Sequence, residues 1–268
     1  MKWILASFFL WLIPGQVFAQ DRILYVTHEP GRWHEYSPQL SSFRALAVEA
    51  NWKLTVATGT MDETVEFLKQ ENFARDQDAI VYNFCMADSR DIAAMSNLIS
   101  QTADHGVPAL LIHCSMHSWW DTFKKGKPIP GNSAGQARAD RRLIEQWQQT
   151  HSDQPLPAWG DFTGVASTGH GRQKPIALTR LVDHPVTARL PEGYSTVATE
   201  LYNNHYIGAN VKPLLQGKQG RDEAIVMWLA ARGGSEIIGL TLGHGEEEWN
   251  DPVFRALVVD ALAYLASP

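Results

Sequence analysis

The 268-residue sequence lacks three features that often reveal function: a set of cysteines, a cationic run and a nucleotide-binding fingerprint. Its two cysteines, Cys85 and Cys114, match no cysteine-based zinc pattern. The formal net charge is −6 and no long run of Lys or Arg occurs, which argues against a general nucleic-acid-binding protein. No G-x-G-x-x-G motif follows the first predicted strand, so a tightly bound NAD is not expected.

The first 19 residues are predicted to be a secretory signal peptide. A basic start at Lys2 precedes the apolar run Trp3–Ile13, and small residues end the segment at Ala19. The alternative is a transmembrane anchor, but the run is shorter than the roughly 20 apolar residues that span a bilayer. We therefore expect cleavage after Ala19 and a periplasmic or secreted protein that has no membrane anchor.

Apolar strands alternate with helical segments through the first half of the remaining chain. The predicted strands are 22–27, 52–57, 78–85 and 108–113, and the predicted helices are 40–50, 62–70 and 91–105. This alternation is typical of βαβ units, and near-continuous apolar runs indicate strands that are covered on both faces. The sequence therefore predicts an α/β fold with a flavodoxin-like parallel sheet and helices on both faces.

The second half departs from this rhythm. Residues 119–158 are polar and are interpreted as an excursion from the sheet, with one predicted helix at 134–150. Strands at 223–229 and 236–242 flank a Gly-Gly turn, which predicts a β-hairpin, and a last helix is predicted at 253–265. Three short strands are predicted between these regions, at 176–178, 196–198 and 202–207. We expect all of this to form a single domain over residues 20–268.

Candidate catalytic residues follow the predicted strands, where ligands bind in open parallel sheets. His34 lies in the polar loop after the first strand, and His113 and His117 follow the fourth. Imidazole at a strand end can carry a proton or bind a metal ion. A solvated loop residue or a structural, hydrogen-bonded histidine is the alternative interpretation for each.

Further candidates lie in the last third of the chain. Glu200 and Tyr202 share a mostly apolar and aromatic stretch, where a carboxylate suits a general base or an acceptor for a sugar hydroxyl. His244 ends the last predicted strand. The acidic run Glu246–Glu248 opens the next helix and is predicted to be structural, because acidic residues complement the dipole of a helix start.

Three tryptophans are candidates for substrate binding, together with Tyr202 and His117. Trp119, Trp120 and Trp228 offer flat faces on which a sugar ring could stack. Packing in the core is the alternative for each of them.

Cys114, His244 and Glu246 stand in the order of the Cys–His–Glu triad of class I glutamine amidotransferases. A nucleophile elbow needs very small residues two positions before and after the nucleophile, and Ile112 and Met116 occupy those positions here. A working elbow is therefore not expected. Both cysteines are predicted to be buried free thiols, although an exported protein can oxidise such a pair.

A metal site is a further alternative. His34, His113, His117 and His244 could bind zinc together with Glu200, since zinc sites use His and carboxylate ligands. No H-x-x-x-H pair on a helix supports this arrangement. Accordingly, no cofactor is expected, and zinc is kept as the alternative.

Several short elements, taken in order, resemble the ThuA-like (trehalose-utilisation) family over nearly the whole mature chain. They are Ile23–His34, Leu111–Ser115, Trp159–Phe162, Asp183–Val186, Thr199–Tyr202, Met227–Trp228 and Thr241–His244. Thr199 stands where the family usually has Asp, and Leu111 stands where it has Gly. In the amidotransferase relatives the nucleophilic Cys occupies the position of His113.

The resemblance implies an amidotransferase-like fold without amidotransferase chemistry, used in the catabolism of sugars such as trehalose. We therefore predict an enzyme that acts on a sugar or a sugar derivative. His113 and His244 would carry protons, and Glu200 would be a base or a hydroxyl acceptor. His34 would be a supporting group. The alternatives are a non-catalytic carbohydrate-binding protein and a Cys-dependent hydrolase. The expected partner is a small carbohydrate, and a homo-oligomer is left open.

Overall fold

The structure is a computed structural model that describes residues 20–119, 123–128, 137–139, 141–152 and 156–267. The predicted signal peptide and Trp120 lie outside these residues. Within the described ranges, no helix has both the length and the apolar character needed to cross a lipid bilayer.

The first half of the chain forms parallel strands connected by helices, as predicted. The strands are β1 (Arg22–Val26), β2 (Lys53–Ala57), β3 (Ala79–Tyr82) and β4 (Ala109–Ile112), and the helices are α1 (Tyr36–Glu49), α2 (Met61–Leu68) and α3 (Ile92–Ala103). β1 pairs in parallel with β2 and β3, and β3 pairs in parallel with β4. Local sequence sets two helix starts, since Thr60 and Glu63 form a capping box and Asp91 accepts a hydrogen bond from the Ala94 amide.

The second half widens the sheet with antiparallel strands. Its elements are β5 (Phe123–Pro128), β6 (Ala137–Ala139), α4 (Arg141–Thr150), α5 (Trp159–Thr163), β7 (Val165–Ala166), β8 (Ala177–Arg180), β9 (Tyr206–Ile207), β10 (Val211–Gln219), β11 (Asp222–Arg232), β12 (Ser235–Leu240), α6 (Glu246–Trp249) and α7 (Pro252–Ala266). In the described part of the chain the main sheet has the order β2-β1-β3-β4-β12-β11-β10-β8. β12 lies parallel to β4, and β11 and β12 form the predicted hairpin.

Several predicted boundaries differ from the structure. The helix predicted at 134–150 begins only at Arg141, because residues 137–139 pair with β5 instead. No strand forms at 196–198, and the strand predicted at 202–207 is confined to β9. The long strand β10 was not predicted, since Pro213 and Gly217 interrupt its apolar pattern.

Both faces of the sheet are covered, which confirms the predicted layering. One face packs against α1 and α7 and the other against α2 and α3. Gly239 in β12 lies opposite Trp228 in β11, and a Cβ atom at Gly239 would lie 2.1 Å from the indole ring. The glycine therefore makes room for a large core side chain.

The prediction of two free thiols is wrong, because Cys85 and Cys114 form a disulfide. Cys85 follows β3 and Cys114 follows β4, and these strands are neighbours in the sheet. Their Cα atoms are therefore only 5.0 Å apart, within the range that a disulfide spans. Because 29 residues separate the two cysteines in sequence, no local pattern predicts that they are close together.

Candidate functional site

Loops that follow β1, β3, β4 and β12 meet at the carboxyl end of the sheet and enclose a cavity of about 500 Å³. The cavity is lined by Trp33, His34, Cys85, Ala87, Asp88, Cys114, His117, Thr168, Gly169, His170, Gln173, Glu200, Tyr202 and His244. This is the position that the parallel topology predicts for a ligand site. It also holds most of the residues that the sequence singled out.

His113 occupies the turn between β4 and a 3₁₀ helix that spans His113–His117. Its φ of 47° lies in the left-handed region, which costs energy for a residue other than glycine. The strand therefore ends in a sharp turn of the kind that presents the nucleophile in elbow folds, but an imidazole occupies it here. His113 is 2% exposed and lies beneath the cavity wall.

The imidazole of His113 is held by a backbone carbonyl. Its Nδ1 lies 2.7 Å from the Thr241 oxygen, so Nδ1 carries the hydrogen and donates it. Nε2 then points toward three other groups. It lies 3.1 Å from His244 Nδ1, 3.1 Å from the Tyr202 hydroxyl and 3.5 Å from Glu200 Oε2.

Glu200 is the carboxylate at the centre of this cluster. Oε2 lies 3.4 Å from His244 Nδ1 as well as 3.5 Å from His113 Nε2, and Oε1 lies 3.4 Å from His170 Nδ1. Burial alone would raise the pKa of Glu200, but hydrogen bonds from His113 and His244 outweigh it and hold the pKa well below its usual range. The carboxylate is therefore ionised at neutral pH.

His244 is fixed through both its backbone and its side chain. Its amide donates to Glu248 Oε2 at 2.7 Å, and its carbonyl accepts from Gln39. The ring Nε2 lies 2.7 Å from the side-chain nitrogen of Gln173. The hydrogen bond to Glu200 raises the pKa of His244, and burial opposes this only in part.

His34 and His117 flank the cluster as neutral imidazoles. Burial, followed by the neighbouring histidines, lowers the pKa of each to about 3. The ring of His34 meets the rings of His113 and His244 edge-on, with centroids 4.9 Å apart in each case. The ring of His117 stacks on Tyr202, with centroids 4.4 Å apart and planes 9° apart.

Two tryptophans predicted to bind substrate lie in the core instead. Trp119 is 0% exposed and donates its indole hydrogen to the Asp91 carbonyl at 2.9 Å. Trp228 is 1% exposed and donates to the Thr163 carbonyl at 2.7 Å. Neither can touch a ligand in the cavity, so these two predictions are wrong. An aromatic residue has the same signature in sequence whether it faces a core or a ligand.

The structure adds cavity residues that are not among the predicted site residues. His170 pairs with Glu200, Gln173 pairs with His244, and Trp33 is 46% exposed at the cavity. Trp33 belongs to the same polar loop after the first strand as the candidate His34. His170 and Gln173 lie outside any predicted strand, and their sequence context carries no such signal.

The amidotransferase interpretation is excluded by the same geometry. The sulfur of Cys114 is bonded to Cys85 and is not available as a nucleophile. Glu246 is exposed on α6, whereas Glu248 is buried and accepts hydrogen bonds from Thr199, Gly243 and His244. The acidic run is thus structural, as predicted, and Glu248 positions His244.

Among the described residues, two groups of side chains that include His34 bring metal-binding atoms within 4.8 Å of one another. One consists of His34, His113 and His244, and the other of His34 with Cys85 and Cys114. The sulfurs of the second group are joined in the disulfide, so only the first has free ligand atoms.

Comparison with known proteins bears on the fold. No family model matches the chain, and no curated protein does. Among solved structures, a ThuA-like protein from Bacteroides uniformis aligns over 94% of this chain and 95% of its own, with a TM-score of 0.64 and 15% identity. A protein from Thermoplasma acidophilum described as a GMP synthase subunit aligns over 92% and 96%, with a TM-score of 0.52 and 8% identity.

A third match comes from a much longer protein. A β-galactosidase from Bacillus circulans aligns over 90% of this chain but 30% of its own, with a TM-score of 0.53 and 8% identity. These matches show that the chain has the fold shared by ThuA-like proteins and class I glutamine amidotransferases. They confirm, at the level of the fold, the resemblance that the sequence predicted.

Proposed function

We propose that the protein binds a sugar or a sugar derivative in this cavity and transforms it by proton transfer, as part of carbohydrate catabolism. One observation carries the proposal: an ionised carboxylate, Glu200, is shared by His113 and His244 at the carboxyl end of the sheet. Such a group can accept a hydrogen bond from a ligand hydroxyl, and His244, whose pKa is raised by Glu200, can exchange a proton with the ligand. The fold shared with ThuA-like proteins and with a β-galactosidase domain supports a sugar as the ligand.

The roles follow from what faces the cavity. Glu200 and His244 line it and can touch a substrate, whereas His113 lies behind them and positions them. The exposed ring of Trp33 gives a flat apolar surface, and Asp88 offers a polar group for hydroxyls. This combination of an aromatic face and polar side chains suits a polyhydroxylated ring.

The test uses the purified protein with trehalose and other gluco-disaccharides, and conversion is followed by mass spectrometry. We expect Glu200→Gln and His244→Ala to lower turnover by about 10²- to 10⁴-fold, the usual contribution of acid–base groups, while sugar binding persists. The matched control is Glu246→Gln, which alters an exposed carboxylate on α6 and should leave turnover unchanged.

Two outcomes would contradict the proposal. Unchanged turnover in Glu200→Gln would show that the cluster of Glu200, His113 and His244 takes no part in the reaction. Sugar binding without conversion in the unaltered protein, lost in Trp33→Ala, would identify a carbohydrate-binding protein on the same fold instead.

A further inference from the structure

Three donor atoms in the cluster already have the spacing of metal ligands. His113 Nε2, His244 Nδ1 and Glu200 Oε2 form a triangle with sides of 3.1, 3.4 and 3.5 Å. Tetrahedral zinc binds nitrogen and oxygen at roughly 2.0–2.2 Å, which places its ligand atoms about 3.3–3.6 Å from one another. The triangle therefore matches one face of such a tetrahedron to within about 0.2 Å on each side.

The outer contacts of the two imidazoles suit metal ligands as well. The Nδ1–H of His113 donates to the Thr241 carbonyl, which turns Nε2 toward the centre of the triangle. Metal-bound histidines usually have this kind of backbone partner on the other ring nitrogen. The Nε2 of His244 contacts the Gln173 amide, whose oxygen can accept from Nε2–H after the amide rotates.

His34 lies beside this triangle with a donor atom still unused. Its Nδ1 is buried and has no hydrogen-bond partner among the described residues. A ligand atom of His34 lies within 4.8 Å of those of His113 and His244. The fourth position of an ion bound to the triangle would thus lie beside His34 and the cavity.

We propose that His113, His244 and Glu200 bind one divalent transition-metal ion of the zinc class, with a fourth position flanked by His34. Two imidazoles and one carboxylate with an open position are a ligand set of catalytic rather than structural zinc sites. On binding, the ion takes the place of the hydrogen between His113 Nε2 and His244 Nδ1, and His244 carries its hydrogen on Nε2 instead, so that both ligands are neutral imidazoles.

This inference rests on the site of the proposed function and deepens its chemistry. A water molecule on the ion would carry the proton in place of the imidazoles, since divalent zinc makes bound water acidic near neutral pH. His113, His244 and Glu200 would then act as ligands.

The test is direct metal binding, which needs no substrate. The protein is purified without reductant, its metal content is measured, and after chelation it is titrated with Zn²⁺ by calorimetry. Co²⁺ is titrated separately, since its visible absorption reports four-coordinate geometry. We expect one ion per chain. His113→Ala, His244→Ala and Glu200→Gln should each lower Zn²⁺ affinity by on the order of 100-fold or more.

Controls separate ligand loss from misfolding and from other sites. His105→Ala removes an exposed histidine at the end of α3 and should bind Zn²⁺ like the unaltered protein. Circular dichroism and thermal unfolding of each variant show whether it is folded. If the alanine variants do not fold, the Zn²⁺ affinity is measured on the milder variant His244→Gln instead.

Several results would overturn the proposal. One is the absence of stoichiometric Zn²⁺ binding. Another is binding that is unchanged in the folded ligand variants. A third is binding that develops only after phosphine reduction, which would assign the ion to Cys85 and Cys114 with His34. Stoichiometric zinc without sugar conversion would leave the metal site standing and overturn the proposed function. Sugar conversion that is unaffected by chelation would leave the proposed function standing and overturn the metal site.

Discussion

At the scale of single residues, the site depends on a buried carboxylate that does not line the cavity. Glu248 is 3% exposed, and its Oε2 accepts hydrogen bonds from the Thr199 hydroxyl and from the amides of Gly243 and His244. Burial raises its pKa, and these hydrogen bonds oppose the rise. Thr199, one of the two departures from the ThuA-like pattern that the sequence resembles, supplies one of them. Glu248 thus fixes the backbone that carries His244.

We expect Glu248→Ala to lower the free energy of unfolding by about 2–4 kcal/mol, because two amide hydrogens lose their acceptor. Urea denaturation of this variant, with Glu247→Ala as the exposed neighbour on the same helix, measures the difference. A loss equal to that of Glu247→Ala would show that the buried hydrogen bonds contribute nothing to stability.

The same scale shows why only part of the site was predictable. His34, His113 and His244 follow strands, and the βαβ pattern places strand ends together. Glu200 follows no strand of the main sheet, and only its apolar surroundings and the family resemblance indicate it as a site residue. His170 reaches Glu200 only through the folding of the β7–β8 connection, which no local pattern reports.

At the scale of elements, the sequence was informative where local rules decide the structure. Continuous apolar runs predicted β1 to β4, and the Gly-Gly turn predicted the β11–β12 hairpin. β10 was missed because tertiary pairing with β8 and β11 overrides the low strand propensity of its Pro213 and Gly217. The disulfide was missed for a related reason, since only the adjacency of β3 and β4 brings its cysteines together.

The disulfide joins two cavity loops and should stabilise them. Closing a loop of 29 residues restricts the unfolded chain, so we expect Cys85→Ala/Cys114→Ala to lower the free energy of unfolding by about 3–4 kcal/mol. Guanidinium unfolding measures this loss. Thiol titration of the denatured, unreduced protein provides the independent check and should detect no free thiol. Two titratable thiols would restore the prediction of free cysteines.

At the scale of the whole molecule, the disulfide and the amino terminus point to the same compartment. Stable disulfides form mainly in exported proteins, because cytosolic thiols are kept reduced. The segment before Gln20 has the apolar run and the small terminal residue of a signal peptide. These features are independent, since one is read from the order of residues and the other from the adjacency of two strands. We therefore propose that the mature protein is periplasmic or secreted.

This proposal predicts where the chain starts and how its cysteines are paired. Expressed in a bacterial host with residues 1–19 present, the protein should be exported, begin at Gln20 and contain the Cys85–Cys114 bond. Cell fractionation, amino-terminal sequencing and intact mass measure the three properties.

A chain lacking residues 2–19 is the control, and it should stay in the cytoplasm with both thiols reduced, because the bond needs an oxidising compartment. An uncleaved full chain in the membrane fraction would instead identify the segment as an anchor. If the disulfide forms equally in both compartments, it is no evidence for export. The signal peptide would then be supported only by the sequence of residues 1–19.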